Sequence, residues 1–310
     1  MSLWSELQGI WLEDSTATSV PNVKIPPLPD VALRVVQEAA NGAGAQELGE
    51  LISRDAGLTC ELLKFVNSAT TGLRNPIATP QRAAAILGIR KLKFLVLTTA
   101  VHRSTQAIKS PLVMNQRFGV AGLERGVFSR ELVRQIGGDA DLAFSAGILQ
   151  DFMLLALTAE MPEQYITLLQ IVEQTGRSLA DVEREVLGWD HAQAASQVMA
   201  AWGFPDDLVV CVRVHHEWEW LWNNPQTRGC EAMAIALASL LPDFLGQVPE
   251  GISRLQTFEH DFFFDDLPRF AESVADQLCQ LAPNLHGHTP LAKHLPGLAT
   301  PSGSNAETAG

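Results

Sequence analysis

The sequence predicts an all-α protein, a two-lobed helical bundle, on three observations. Apolar residues recur at three-to-four spacing in segment after segment, the period of one helix face. Alternation of β-branched residues at a period of two is scarce. Residues that start and stop helices fall at the edges of the periodic stretches.

The elements follow in order. Pro26, Pro27 and Pro29 hold the approach extended, and Asp30 is expected to cap a first helix whose Val31, Leu33, Val35 and Val36 form a broad buried side. Two short helices come next, about 46–54 and 58–68, with a turn at Asp55-Ala56-Gly57. The second carries Leu58, Leu62, Leu63, Phe65 and Val66 with Lys64 as its basic residue, so it reads as buried rather than as a helix for a DNA groove. Thr79 offers a hydroxyl and Pro80 a preset φ, together a helix start, and that helix ends near Gly88. The run from Phe94 to Val101 predicts a central helix packed on several sides, and Lys109-Ser110-Pro111 is the expected hinge of a changeover between lobes around 108–122.

In the second half the pattern gives helices near 123–136, 139–150, 152–160 and 162–174. Gly137-Gly138 stops the first and Pro162 starts the last. Ser178 and Asp190 are placed to cap two more, with the Asp181 carboxylate favoured near a positive helix end. Further helices are expected over 206–215, 230–241 and 268–281. The interval 245–266, with Phe258, Phe262, Phe263 and Phe264, reads only as a loop folded over apolar surface. From about Asn284 Gly, Pro, Thr, Ser and Asn accumulate, which predicts a disordered tail. The division is therefore an N-terminal segment, 1–21; a domain, 22–285, with lobes 22–110 and 120–285; and a tail, 286–310.

Bulk properties narrow the function classes. With 310 residues, 46% of them apolar, the chain can bury a large core, yet no run approaches the roughly twenty consecutive apolar residues of a membrane span. Met1 to Ile10 shows no secretion signal, so a cytoplasmic location is expected. A net charge of −13 repels phosphate backbones, which argues against nucleic acid as a partner. The basic group Arg90-Lys91-Leu92-Lys93 reads as a solvated helix turn. Cys60, Cys211, Cys230 and Cys279 lie far apart, as reduced, packed thiols do. Cys211 stands four residues before His215, so a nucleophile–base pair is the alternative to a core thiol. Gly42-Ala43-Gly44 lacks the strand, spacing and lysine of a phosphate-binding loop.

Several motifs are more specific when taken together. They are Ile25-Pro26-Pro27-Leu28-Pro29-Asp30, Leu51-Ile52-Ser53-Arg54-Asp55, Asn67-Ser68-Ala69 and Ile86-Leu87-Gly88-Ile89-Arg90; then Ala146-Gly147-Ile148-Leu149-Gln150-Asp151; then Leu187-Gly188-Trp189-Asp190-His191, Trp202-Gly203-Phe204-Pro205 and His215-His216. In this order, over roughly 22–285, they resemble the HDOD domain, a bacterial signalling module related to the HD superfamily of metal-dependent phosphohydrolases. In catalytic HD relatives, His and Asp side chains converge on one or two divalent metals that acidify water and offset phosphate charge.

The resemblance implies a damaged centre. The first His of the superfamily falls at Phe128, the His of its His-Asp pair at Gln150, its Asp at Asp151, and a frequent lysine at Leu154. His191 and either His215 or His216 match later ligands. Phenylalanine has no lone pair and glutamine only a neutral amide oxygen, a weak substitute for imidazole. Adjacent helical residues point about 100° apart, so only one of His215 and His216 is expected to join Asp151 and His191. No cofactor is expected; one divalent transition metal on Asp151, His191 and His215 is the alternative. Without metal, Asp190 is a helix cap, His191 a first-turn polar residue, and Asp151 a partner for His191 or His215. The Gly-Tyr-Pro motif of cyclic-di-GMP phosphodiesterases does not follow His215-His216; Trp218, Trp220 and Trp222 do, either as a surface for a protein partner or as closure of the core. The expected function is a noncatalytic signal-transduction or scaffolding module, working through protein contacts in bacterial regulation. The alternatives are a residual phosphohydrolase acting on a nucleotide or other phosphoester, and a small-ligand sensor, for instance of a nucleotide, in the emptied pocket.

Overall fold

The structure, a computed structural model, describes Leu7 and residues 23–67, 76–263 and 266–295. Among these residues every regular element is a helix and none is a strand, as the sequence predicts. The first lobe comprises α1 (Asp30–Ala40), α2 (Ala45–Ile52), α3 (Ala56–Val66), α4 (Pro80–Leu87) and α5 (Ile89–Gln106). Asp55 accepts from the Leu58 N–H at the start of α3, and Thr79 from the Arg82 N–H at the start of α4. Asp30 does not cap α1: Pro29 holds that position, and Asp30 is already helical, where its carboxylate favours the positive end without a hydrogen bond. The Asn67 side chain joins α3 to the approach of α4, accepting from the Ile77 N–H at 2.6 Å and donating to the Ile77 carbonyl at 2.7 Å. Ser68 and Ala69 of the same motif lie outside the described residues.

The second lobe is built on α6 (Asn115–Ile136) and α7 (Ala140–Leu149). Helix α6 begins well before the expected position 123, because its glycines serve packing and do not break the helix. A Cβ on Gly126 would lie 2.8 Å from the Phe144 carbonyl oxygen, and one on Gly147 would lie 2.8 Å from that of Arg125. The two helices therefore touch backbone to backbone, an approach only glycine permits. The expected hinge falls in the linker before α6 but is tied down, with the Ser110 hydroxyl donating to Thr158 Oγ1 at 2.8 Å and the Asn115 amide to the Ile108 carbonyl at 2.9 Å.

The remaining helices are α8 (Met153–Glu160), α9 (Pro162–Thr175), α10 (Leu179–Leu187), α11 (His191–Ala201), α12 (Asp206–Arg213), α13 (Trp218–Asn223), α14 (Glu231–Ala238), α15 (Gly251–Thr257), α16 (Glu259–Phe262) and α17 (Leu267–Leu281). Ser178 and Asp190 cap α10 and α11 as expected, accepting from the Asp181 and Gln193 N–H groups. The interval 245–266, expected as a loop over apolar surface, instead contains α15 and α16, with Phe258, Phe262 and Phe263 buried; Phe264 lies outside the described residues. Ala140–Glu160 is long and apolar enough to cross a membrane by composition alone, but 89% of that window is buried inside the protein.

Two expectations change through contacts distant in sequence. Residues 284–295, expected without structure, run back over the second lobe: the Leu291 N–H donates to Glu124 Oε1 at 2.7 Å, His288 bonds the other oxygen of the same carboxylate, and Leu291 and Leu295 are buried. Residues 296–310 lie outside the description, as do 1–6 and 8–22. The basic group at the start of α5 does not simply face solvent either. Arg90 pairs with Asp139 at 2.8 Å and Asp207 at 2.9 Å, and Lys91 with Asp141 at 2.7 Å, stitching the first lobe to the second.

Candidate functional site

The close approach of α6 and α7 sets Arg125 of α6 beside Asp151, which follows Gln150 in the turn after α7, while Phe128 lies one turn further along α6. His191 opens α11, while His215 and His216 follow the end of α12. Asp151, His191 and His215 are buried, and His216 is half-buried. One ligand-type atom from each of these four residues lies within 4.8 Å of the others. The expectation that only one of the two adjacent histidines faces this centre is corrected. Helix α12 stops at Arg213 and residues 214–216 form a turn, so the helical 100° offset does not apply.

The cluster is wired through its outer atoms. His191 Nδ1 meets Glu183 Oε2 at 2.6 Å, the same oxygen accepts from the His191 N–H at 3.0 Å, and the Tyr165 hydroxyl donates to Glu183 Oε1 at 2.7 Å. His215 Nδ1 sits 2.6 Å from the Val212 carbonyl oxygen. Both rings thus direct Nε2 inward: His191 Nε2 lies 3.2 Å from Asp151 Oδ1 and 2.8 Å from His216 Nε2, and His215 Nε2 lies 3.4 Å from Asp151 Oδ1.

Asp151 Oδ2 faces the other way, towards Arg125 of α6. Arg125 Nη1 approaches it at 2.7 Å as a charge contact rather than an aligned hydrogen bond, and Nη2 holds Asp243 at 2.9 Å. Burial opposes ionisation of Asp151, yet Arg125 and the bonds from His191 and His215 outweigh it and hold the carboxyl well below its usual range. Burial likewise opposes charge on His191, but Glu183 and Asp151 raise its pKa to about 10. His216 moves the opposite way, kept neutral by burial and by the neighbouring His215 and His191.

Phe128 and Gln150 bring no strong donor to this centre. The Phe128 ring is fully buried against Phe263 and Phe270, with centroids at 5.9 and 5.2 Å. Gln150 is 1% exposed, and neither atom of its amide has a hydrogen-bond partner. Two orphaned amide atoms are a local cost of about 1 kcal/mol or more. Gln150→Leu is therefore expected to raise the urea midpoint; a lowered midpoint would mean that the amide is satisfied.

The donors fit one divalent ion and not two. Asp151 Oδ1 and the Nε2 atoms of His191, His215 and His216 converge, and the outward nitrogens of His191 and His215 are oriented as second-shell partners orient metal ligands. A second ion on the other carboxylate oxygen, Asp151 Oδ2, would meet the Arg125 guanidinium that faces it. The nucleophile alternative at Cys211 weakens, because burial pushes that thiol far above its ordinary range. All four cysteines are free, Cys211 and Cys230 buried, Cys60 and Cys279 exposed.

The half-buried His216 lines a cleft of about 160 Å³ with Arg184, Glu217, Trp218 and Arg254. Two of the three tryptophans on α13 close over the α15–α16 aromatics. Trp218 packs edge-on against Phe258, and Trp222 against Phe258 and Phe262. Trp220 is also half-buried.

Sequence motifs missed Arg125, Glu183, Tyr165 and Asp243. Arg125 carried a usable signal, since it precedes Phe128 by one helical turn and so shares its face. The other three reach the cluster only through tertiary packing.

Compared with known families, the chain matches the HDOD domain over residues 25–218. An uncharacterized protein of Treponema pallidum (strain Nichols) is 27% identical over 234 residues, 73% of this chain but 44% of that protein, so the chain spans less than half of this curated relative. Among solved structures, an HDOD domain protein of unknown function from Geobacter sulfurreducens superposes with a TM-score of 0.63 at 16% identity, covering 91% of this chain and 98% of that one. A candidate phosphohydrolase from Shewanella amazonensis SB2B gives 0.63 at 21% identity, covering 88% and 97%. At such identities the likeness is one of fold.

Proposed function

Because the chain belongs to the HDOD domain family, we propose that it is a noncatalytic signal-transduction or scaffolding module of bacterial regulation, acting through contacts with a protein partner. What supports this most is the Arg125–Asp151 pair: a fixed cation of the protein meets the carboxylate oxygen that a second metal ion would require. Binuclear phosphoester chemistry needs both ions to stabilise the attacking and leaving oxygens. Phe128 and Gln150, the positions where the family resemblance expects histidines, carry an apolar ring and a neutral amide, which leaves little means to ready a water for attack. The partner surface we assign is α13, whose half-buried tryptophans offer rigid aromatic area beside the cleft.

A second reading has its own support in the four converging donors. Asp151, His191, His215 and His216 would hold one divalent transition metal, which would supply Lewis acidity to a phosphoester. Arg125 would then position Asp151, and Glu183 would orient His191.

Metal analysis and turnover separate the two. The full chain, purified without chelator, is expected to carry no stoichiometric transition metal and to hydrolyse no member of a nucleotide panel. Trp220→Ala is expected to weaken capture of the native partner. One equivalent of metal together with hydrolysis abolished by Asp151→Ala would overturn the noncatalytic reading. Metal without hydrolysis would make the cluster a structural ion site and leave the recognition role standing.

A further inference from the structure

A cavity of about 70 Å³ lies at the junction of the lobes, away from the histidine cluster. Its first-lobe wall is Phe65 of α3 with Lys91 and Phe94 of α5; its second-lobe wall includes Arg130 and Arg134 of α6 and Ser145 of α7. Three cations thus gather at one opening in a chain of net charge −13. Acidic groups offset them in part: Asp141, itself part of the cavity wall, pairs with Lys91 at 2.7 Å, and Glu131 with Arg134 at 2.6 Å and with Arg130 at 3.3 Å.

Two features of the wall favour an anionic ligand. The Ser145 side chain is 1% exposed, yet its hydroxyl has no hydrogen-bond partner. A buried hydroxyl left so is costly, and it donates readily to an anion. Arg130 is itself 6% exposed, stacked over Phe144 at 4.8 Å and bonded to Gln277 at 2.8 Å. Burial and the like charge of Arg134 push its guanidinium below the usual range, a stress that an anion relieves.

Size limits the occupant. At roughly 10–15 Å³ per water by this measure, the cavity takes a few waters or one tetrahedral oxyanion, and is too small for a nucleoside. We propose that this cavity binds one phosphoryl group, as free inorganic phosphate or as the end of a small phosphomonoester, between Arg130, Arg134, Lys91 and the Ser145 hydroxyl. Such a ligand bridges the lobes and tightens their packing, which makes it an input for a signalling module. The proposal does not depend on the reading of the histidine cluster.

Thermal unfolding and calorimetric titration of the full chain test it, with inorganic phosphate and AMP in separate arms and sodium chloride at matched ionic strength as control. Phosphate also stabilises proteins without binding a site, so saturation at low concentration is the required signature. The expected result is a saturable rise in Tm with one equivalent bound. Ser145→Ala and Arg134→Gln should each weaken binding roughly tenfold, as loss of one bond to a charged ligand does. Ser145→Ala should leave the Tm without phosphate unchanged or raised, so a folding defect does not imitate the effect. Tighter binding of AMP than of phosphate assigns the monoester; the reverse assigns the free ion. A shift that chloride reproduces, that never saturates, or that both variants retain in full overturns the proposal.

Discussion

Replacing Asp151 by alanine is expected to cost about 3–5 kcal/mol of folding stability, the usual penalty for removing one partner of a buried ion pair. Arg125 is buried against Asp151 and Asp243, and His191 lies in the same dry volume between Asp151 and Glu183. Without Asp151 the guanidinium keeps its pair with Asp243 and the more distant charge of Glu124, and the imidazole keeps its contacts to Glu183 and His216. Urea unfolding measures the loss. Asp151→Asn should recover little, since the amide preserves shape but not charge. Pairing Asp151→Leu with Arg125→Met should not recover it, because the second change leaves the buried Asp243 carboxylate without its guanidinium. A loss below about 1 kcal/mol, or one that a chelator reproduces on the unmodified chain, would contradict a carboxylate held by a protein cation.

Stability should also peak near neutral pH and fall on both sides, for opposite reasons in two histidines. The His191 pKa is raised from 6.5 to about 10, so its stabilisation is complete below about 6.5 and drains away as pH climbs towards 10. The His216 pKa is depressed well below 6.5, so as pH falls below 6.5 the unfolded chain takes up a proton that the folded chain refuses, and stability drops. Asp151, ionised in the fold far below its usual range, adds a further loss at lower pH. The alkaline limb should amount to on the order of a few kcal/mol. It is best followed between about pH 6.5 and 8, before the thiols of Cys211 and Cys230, both raised by burial in the fold, titrate in the unfolded chain. His191→Asn should flatten that limb, and an identical slope in variant and parent would remove His191 as its source.

How much of this was legible in the sequence depends on the range of the interaction. Caps are local, so Thr79, Ser178 and Asp190 were placed correctly, and the helical period marked the buried faces. Glycine was ambiguous: Gly126 reads as a helix weakener, whereas its value lies in a partner helix that the local pattern does not show. The order of the motifs located the cluster of Asp151, His191, His215 and His216. It did not show that both adjacent histidines converge, because that follows from where α12 ends. Glu183 carries the amphipathic signature of an ordinary helix residue, and only the fold brings it against His191. The tail composition concealed the anchor at Glu124, since a single buried carboxylate outweighs a polar neighbourhood.

The backbone contact of Gly126 with Gly147 separates architecture from chemistry in this lobe. The spacing between the two helices is set by atoms that no side chain at 128 or 150 contributes to. A side chain at either glycine would drive the two helices apart, and with them the seat of Arg125 beside Asp151.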